Sequence, residues 1–214
     1  SSEDSDAGDG DSDYVVAFRM SLDTGKISIP DDEQSAEQQL INKEQIECNL
    51  SKCIDSMTSL HPISFTSEDA TGFYEDKVGN AHLYDLAAWH LGSSQYIADT
   101  LRLQQEFAYG KVLDFGGGIG THALAASVLP DVEHVWFVDL NPQNRSFVEH
   151  RSKELGVEKK ISVFRDLEST SDVIFDSLVC LDVLEHLPDP AKQLKIFLEK
   201  LSPKGISLMN WYFY

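Results

Sequence analysis

The sequence predicts an α/β fold, a doubly wound and mostly parallel sheet of at least five strands preceded by an N-terminal hairpin and a helical cap. Three observations predict it. From Lys111 onward, short β-branched and aromatic runs alternate with helix-length runs. The first of those strands leads straight into a glycine cluster, "VLDFGGGIG" (112–120). Acids recur at the ends of successive strands, at Asp114, Asp139 and Asp166. Strands separated by helices pair in parallel, because a parallel connection needs a crossover of a dozen or more residues, and both faces of such a sheet are covered.

The elements follow in chain order. "SSEDSDAGDGDSD" (1–13) holds six acids and no base and reads as a disordered, solvated tail. "YVVAFRMSLDTGKISIP" (14–30) reads as a β-hairpin around "DTGK", ended by Pro30. Ile46, Leu50, Cys53, Met57 and Leu60 recur at helical steps and form one apolar stripe, expected to pack on the protein's own core. Pro62 breaks that helix, and residues 73–109 read as helical up to Gly110. Hairpin and helices together, 14–109, form the predicted cap. Residues 110–214 form the sheet domain: strands in "KVLDF", "HVWFVDL", "ISVFRDL", "FDSLVCLDV" and "GISLMNWYFY", and helices in "THALAASVL", "PQNRSFVEHRSKELG" and "PAKQLKIFLEKL". Pro142 suits the first turn of its helix.

Composition narrows the class. With 42% hydrophobic and 25% charged residues the 214-residue chain reads as soluble and globular. No apolar run is long enough to cross a bilayer, and the acidic N-terminus does not read as a signal or transit peptide, so a cytoplasmic address is expected. A net charge of -19 makes nucleic acid an unexpected partner, since phosphate binding needs a basic face. Cys48, Cys53 and Cys180 are too few and too irregularly spaced for a disulfide framework or a CxxC zinc site.

Two nucleotide-binding turns compete for the glycine cluster: the first fails and the second is weakened. A phosphate-binding P-loop needs a lysine after its last glycine, and Thr121 follows Gly120 here. A dinucleotide turn needs GxGxxG; Gly116 and Gly118 fit, but Thr121 holds the third position. What stands is an acid two residues before the first glycine, then Gly116, Gly118 and Gly120.

"VLDFGGGIG" resembles the first motif of class I S-adenosylmethionine-dependent methyltransferases. "FVDLNP" resembles their second motif, "FRDLE" their third, and "CLDVLEHLPDP" the segment after strand four in the ubiquinone-biosynthesis-like, small-molecule branch. The resemblance covers residues 111–214 and implies a Rossmann-like domain with S-adenosyl-L-methionine as cofactor. It places Asp114 near the methionine ammonium, the glycines under the methionine and ribose, and Asp139 on the ribose hydroxyls. Asp166 would read the adenine amine, with Leu167 against the ring and Leu181 against the methionine chain. Asn141 is the better helix cap before Pro142, which frees Asp139. Some relatives hold a divalent cation with an acid-x-x-Glu-His set matching Asp182, Glu185 and His186. The same run occurs in relatives without metal, so no metal is assigned.

The implied activity is methyl transfer to a small-molecule acceptor by in-line displacement, the alternative being a cofactor-binding regulatory or partner subunit without chemistry. A general base is needed only for an acceptor that must lose a proton; His186 is the first candidate, beside the cofactor end of strand four. Tyr74, Tyr84, Trp89 and His90 are the candidates to line the acceptor pocket, as an aromatic cluster suits an apolar or planar molecule. Family members continue past strand five, whereas this sequence stops at "NWYFY". The expectation is either a trimmed sequence or a partner chain, as in a homodimer, over that apolar edge.

Overall fold

The computed structural model describes residues 19–20, 27–28 and 71–211, residue 171 excepted. The chain divides into two units, Ser1–Glu47 and Cys48–Tyr214. In the first, β1 (Arg19–Met20) and β2 (Ile27–Ser28) pair antiparallel, Arg19 opposite Ser28 and Met20 opposite Ile27, which places a hairpin within the predicted span. The acidic tail, the apolar stripe from Ile46 to Leu60, Cys48 and Cys53 lie outside the described residues.

The second unit begins with a wide, π-type turn at Phe73–Lys77, then α1 (Gly79–Gly92) and α2 (Ser94–Phe107). The predicted helical stretch 73–109 is therefore broken twice. Val78 joins the turn to α1, and Ser93 leaves helical geometry at φ -116°, ψ 33°. Five parallel strands follow: β3 (Gly110–Phe115), β4 (Val132–Val138), β5 (Ile161–Phe164), β6 (Phe175–Cys180) and β7 (Leu201–Met209). Their order is β5-β4-β3-β6-β7. Helices α3 (Thr121–Ser127), α4 (Pro142–Glu154) and α5 (Pro190–Lys200) make the crossovers after β3, β4 and β6. This is the Rossmann-like α/β fold that the strand–helix alternation predicts.

Strand alternation builds the two cores. Val112 of β3 and Val135 and Phe137 of β4 face one side, against Ala123, Leu124 and Val148 of α3 and α4. Their neighbours Leu113 and Val138 face the other, with Phe175, Leu178 and Phe197. All of these side chains are buried. Pro203 lies in β7, at the sheet edge where a missing donor is tolerated. Strand β7 starts four residues earlier than predicted, and its register slips between Leu201 and Ile206. Among the described residues no helix is long and apolar enough to cross a membrane.

The functional geometry follows from the order of the strands. The chain leaves β3 toward β4 and β5, then crosses back to the opposite side of β3 as β6. A crevice opens at the carboxyl ends of the strands where the direction of winding reverses, and ligands of such sheets bind there.

Candidate functional site

The glycine turn fills one wall of that crevice. Gly116, Gly118 and Gly120 all adopt positive φ, at 69°, 56° and 75°, a region that costs a residue with Cβ strain. A Cβ on Gly116 would lie 2.5 Å from Val183 Cγ2, and one on Gly118 2.7 Å from Leu86 Cδ1. The turn is braced from the next strand: Gly116 N–H donates to Val138 O at 2.7 Å, and Gly118 N–H to Asp139 Oδ2 at 2.8 Å. Gly120 differs from the other two. It does not line the crevice; a Cβ there would meet Val148 Cγ2 at 2.4 Å, so its role is the close approach of α3 to α4.

Two buried carboxyls stand behind the turn. Asp114 is 3% exposed and its Oδ2 has no hydrogen-bond partner. Burial, with a smaller push from Asp139, raises it to about 7 against a backbone hydrogen bond from Ala123. Asp139 is 6% exposed, and burial pushes it up to about 6 against hydrogen bonds from Asn141, Gly118 and Asn144. Asn141 caps α4, its Oδ1 accepting from Gln143 N–H and Asn144 N–H at 2.8 and 3.0 Å. Asp139 is thus spared the capping role, as the sequence suggests, but it is not idle: it ties α4's first turn to the glycine turn. Asp166 lies past the end of β5, its Oδ1 accepting from Ser169 N–H at 2.9 Å and its Oδ2 from Arg165 at 2.9 Å. The Ser169 hydroxyl and Arg165 hold its carboxyl below the usual range.

These groups share one cavity of about 1040 Å³. Asp114, Gly116, Gly118, Asp139, Asp166, Leu167 and Leu181 all line it. So do Tyr74, Trp89, His90 and His186 from the predicted acceptor side; the side chain of Tyr84 lies outside the described residues. Asn141 Nδ2 donates to Tyr74 O at 3.1 Å and Gly79 O at 3.2 Å, which fastens the π-type turn and α1 over α4. Glu75 of the same turn makes a two-pronged pair with Arg165, at 2.5 and 2.6 Å, across the cavity rim. Burial and the acids Asp85, Asp139 and Glu185 push the Tyr74 hydroxyl up to about 12, so it stays a proton donor. His186 is exposed, its ring 6.2 Å from that of Tyr74. Trp89, 40% exposed, packs edge-on to His90 and Tyr96. Among the described residues no three His, Cys, Asp or Glu side chains are grouped to hold a metal ion.

The profile of the family described as "Methyltransferase domain" matches residues 88–210, more than half of the chain. The chain belongs to this family. Within it, the chain is 33% identical over 99 residues to a ubiquinone biosynthesis O-methyltransferase of Xylella fastidiosa (strain 9a5c), covering 44% of this chain and 39% of that protein. It is 31% identical over 102 residues to a protein of the same name from Xanthomonas euvesicatoria pv. vesicatoria (strain 85-10), covering 47% and 42%. The matches therefore span about two fifths of the length of these curated relatives. Among solved structures, the [4+2]-cyclase SpnF superposes with a TM-score of 0.54 at 17% identity, over 69% of this chain and 61% of that one. At that identity the likeness speaks for the fold alone.

Around Trp89 and Asp182, which the sequence singled out, the methyltransferase-domain site also contains groups that sequence reading missed. His82, Asp85, Leu86 and Trp89 share one face of α1 and line the cavity. Their i, i+3, i+4, i+7 spacing was the available signal. Asn144 Nδ2 bridges Asp139 Oδ1 at 3.3 Å and His82 Nδ1 at 3.2 Å, and burial pushes His82 down to about 4. Asp182, at φ 56°, closes a network with Tyr96 and Asn210. Tyr96 Oη donates to its Oδ2 at 2.9 Å, and Asn210 Nδ2 donates to its Oδ1 and to Tyr96 Oη, both at 2.7 Å. His122, second in α3, lines the cavity as well.

Proposed function

We propose that the chain binds S-adenosyl-L-methionine and transfers its methyl group to a small-molecule acceptor by in-line displacement. One observation carries the reading: in a chain of the methyltransferase-domain family, the glycine turn and the three strand-end carboxylates converge on a single cavity. The residues fit the cofactor. Asp114 Oδ2 is a buried acceptor without a partner, suited to the field of a cationic ligand, and Gly116 and Gly118 hold a tight positive-φ turn along the cavity wall, where a Cβ would collide with Val183 and Leu86. Asp139 accepts three N–H bonds, and a carboxylate has about four acceptor positions, which leaves capacity for a ribose hydroxyl. Asp166, fixed by Ser169 and Arg165, is held ready for an adenine amine.

When bound, S-adenosylmethionine supplies a methyl group already activated by its sulfonium. The chain's own part is then alignment and exclusion of water, which can supply most of the rate enhancement. Leu167 and Leu181 give apolar walls, while the π-type turn and α1 bear on the acceptor side through Tyr74, Trp89 and His90. His186 is proposed as a proton acceptor for a hydroxyl substrate, and its exposure gives that proton a route to solvent.

Isothermal titration with S-adenosylhomocysteine tests the donor site: one-to-one binding is expected, and preference for NAD would overturn the reading. A methyl-transfer assay over a broad acceptor panel follows. Binding without transfer would favour the alternative of a non-catalytic cofactor-binding subunit. A cytoplasmic setting, the absence of nucleic acid among the partners and a homodimer across the β7 edge belong to the same proposal; cell fractionation, a nucleic-acid binding assay and light scattering test them.

A further inference from the structure

We infer that His122 reads the methyl acceptor, presenting an uncharged ring nitrogen, Nδ1, to an O–H or N–H of a neutral molecule with an apolar body. The inference rests on the methyltransferase reading and names the acceptor class for that site.

The surroundings of His122 favour one tautomer. The residue is 8% exposed and lines the cavity directly after the glycine turn. Its carbonyl accepts from Gln104 Nε2 at 2.8 Å, which anchors the start of α3 to α2. Its ring Nε2 lies 3.0 Å from Thr100 Oγ1. That hydroxyl lies 3.1 Å from Tyr96 O and 3.0 Å from Ile97 O, so its single proton can go back to its own helix. With the proton there, its lone pair is left to accept, and Nε2 carries the ring proton. Nδ1 then bears the lone pair, and it has no hydrogen-bond partner among the described residues. Burial, with His90 nearby, pushes the ring down to about 4, so it is uncharged at neutral pH.

The rest of the wall selects by charge. Asp85, Asp182 and Glu185 line it, and Glu185 Oε2 is buried without a partner. Of its two non-histidine cations, Arg165 is held by Glu75 and Asp166, and Lys200 is itself engaged. An anionic acceptor would meet carboxylates and no uncommitted cation. A neutral hydroxyl or amine meets Nδ1 as an acceptor and Leu86, Val183 and Leu187 as apolar wall.

The test is a two-bond proton–nitrogen spectrum of the full chain, labelled with nitrogen-15 histidine and loaded with S-adenosylhomocysteine. His122 is expected as the Nε2–H tautomer at pH 7. Phenol or aniline should move its Nδ1 resonance upfield; anisole and benzoate should not. His122→Leu, which identifies the signal, should weaken the responding probe roughly 3- to 10-fold, the worth of one hydrogen bond, with S-adenosylhomocysteine affinity kept. A proton on Nδ1, an equal response to anisole or benzoate, or silence under all four probes would overturn the inference. Should the protein not bind S-adenosylhomocysteine, the donor reading fails by itself, and the same titration of the free protein still decides His122.

Discussion

Asp114 and Asp139 are carboxyls that the fold makes reluctant to ionise, pushed up to about 7 and 6 chiefly by burial. A cationic ligand opposite them stabilises the ionised form and drives their protons off. S-adenosylhomocysteine, through its ammonium, should therefore bind more tightly as pH rises from 5 to 7.5, with proton release visible as a dependence of titration heat on buffer. A flat affinity across that window would separate these acids from the ligand. Asp114→Asn should weaken binding about tenfold or more, equivalent to about 1.4 kcal/mol. Gly116→Ala confronts φ 69° and both methyls of Val183, a stiff β-branched neighbour, at 2.5 and 2.9 Å. It should cost about 1–3 kcal/mol in urea unfolding and abolish cofactor binding.

At the scale of elements, the π-type turn Phe73–Lys77 is a strap held at two points: Asn141 Nδ2 on Tyr74 O, and Glu75 on Arg165. The second point is partly exposed, and exposed ion pairs contribute about 0–1 kcal/mol to stability. Glu75→Gln should accordingly move the unfolding midpoint little, yet speed S-adenosylhomocysteine dissociation several-fold in stopped flow. An unchanged dissociation rate would show that the strap does not retain ligand. Asn141→Ala removes the first anchor and the cap of α4, and should cost about 0.5–2 kcal/mol. The strap and its partner loop were illegible in the sequence, because Glu75 and Arg165 are ninety residues apart and nothing in their local pattern differs from surface charge.

For the whole molecule, stability against pH sums opposing groups. His82, His90 and His122 are each pushed down to about 4 by burial, so between pH 4 and 6.5 the unfolded chain binds more protons there and stability rises with pH. Asp114 and Asp139 act oppositely: their native forms hold protons that the unfolded chain has lost, so they subtract stability as pH rises from about 4 to 7. Chemical denaturation should show a net climb to pH 6.5, and Asp114→Asn should make it steeper; a shallower climb would contradict the sign. S-adenosylhomocysteine at a hundredfold excess over Kd should add about 2.7 kcal/mol. By itself the sequence determined the parallel sheet and the grouping of the glycine turn with the strand-end acids. Alternating strands and helices leave few ways to wind, and a glycine turn and strand-end acids take their places from local chain geometry. Which further residues join Tyr74, Trp89, His90 and His186 around the cavity was decided by tertiary structure. His82, Asp85 and His122 become site residues only where α1, α2 and α3 close on one cavity. Whether a ring is neutral, which nitrogen holds its proton and whether a glycine faces ligand or Val148 depend on burial between distant segments, which no local pattern encodes.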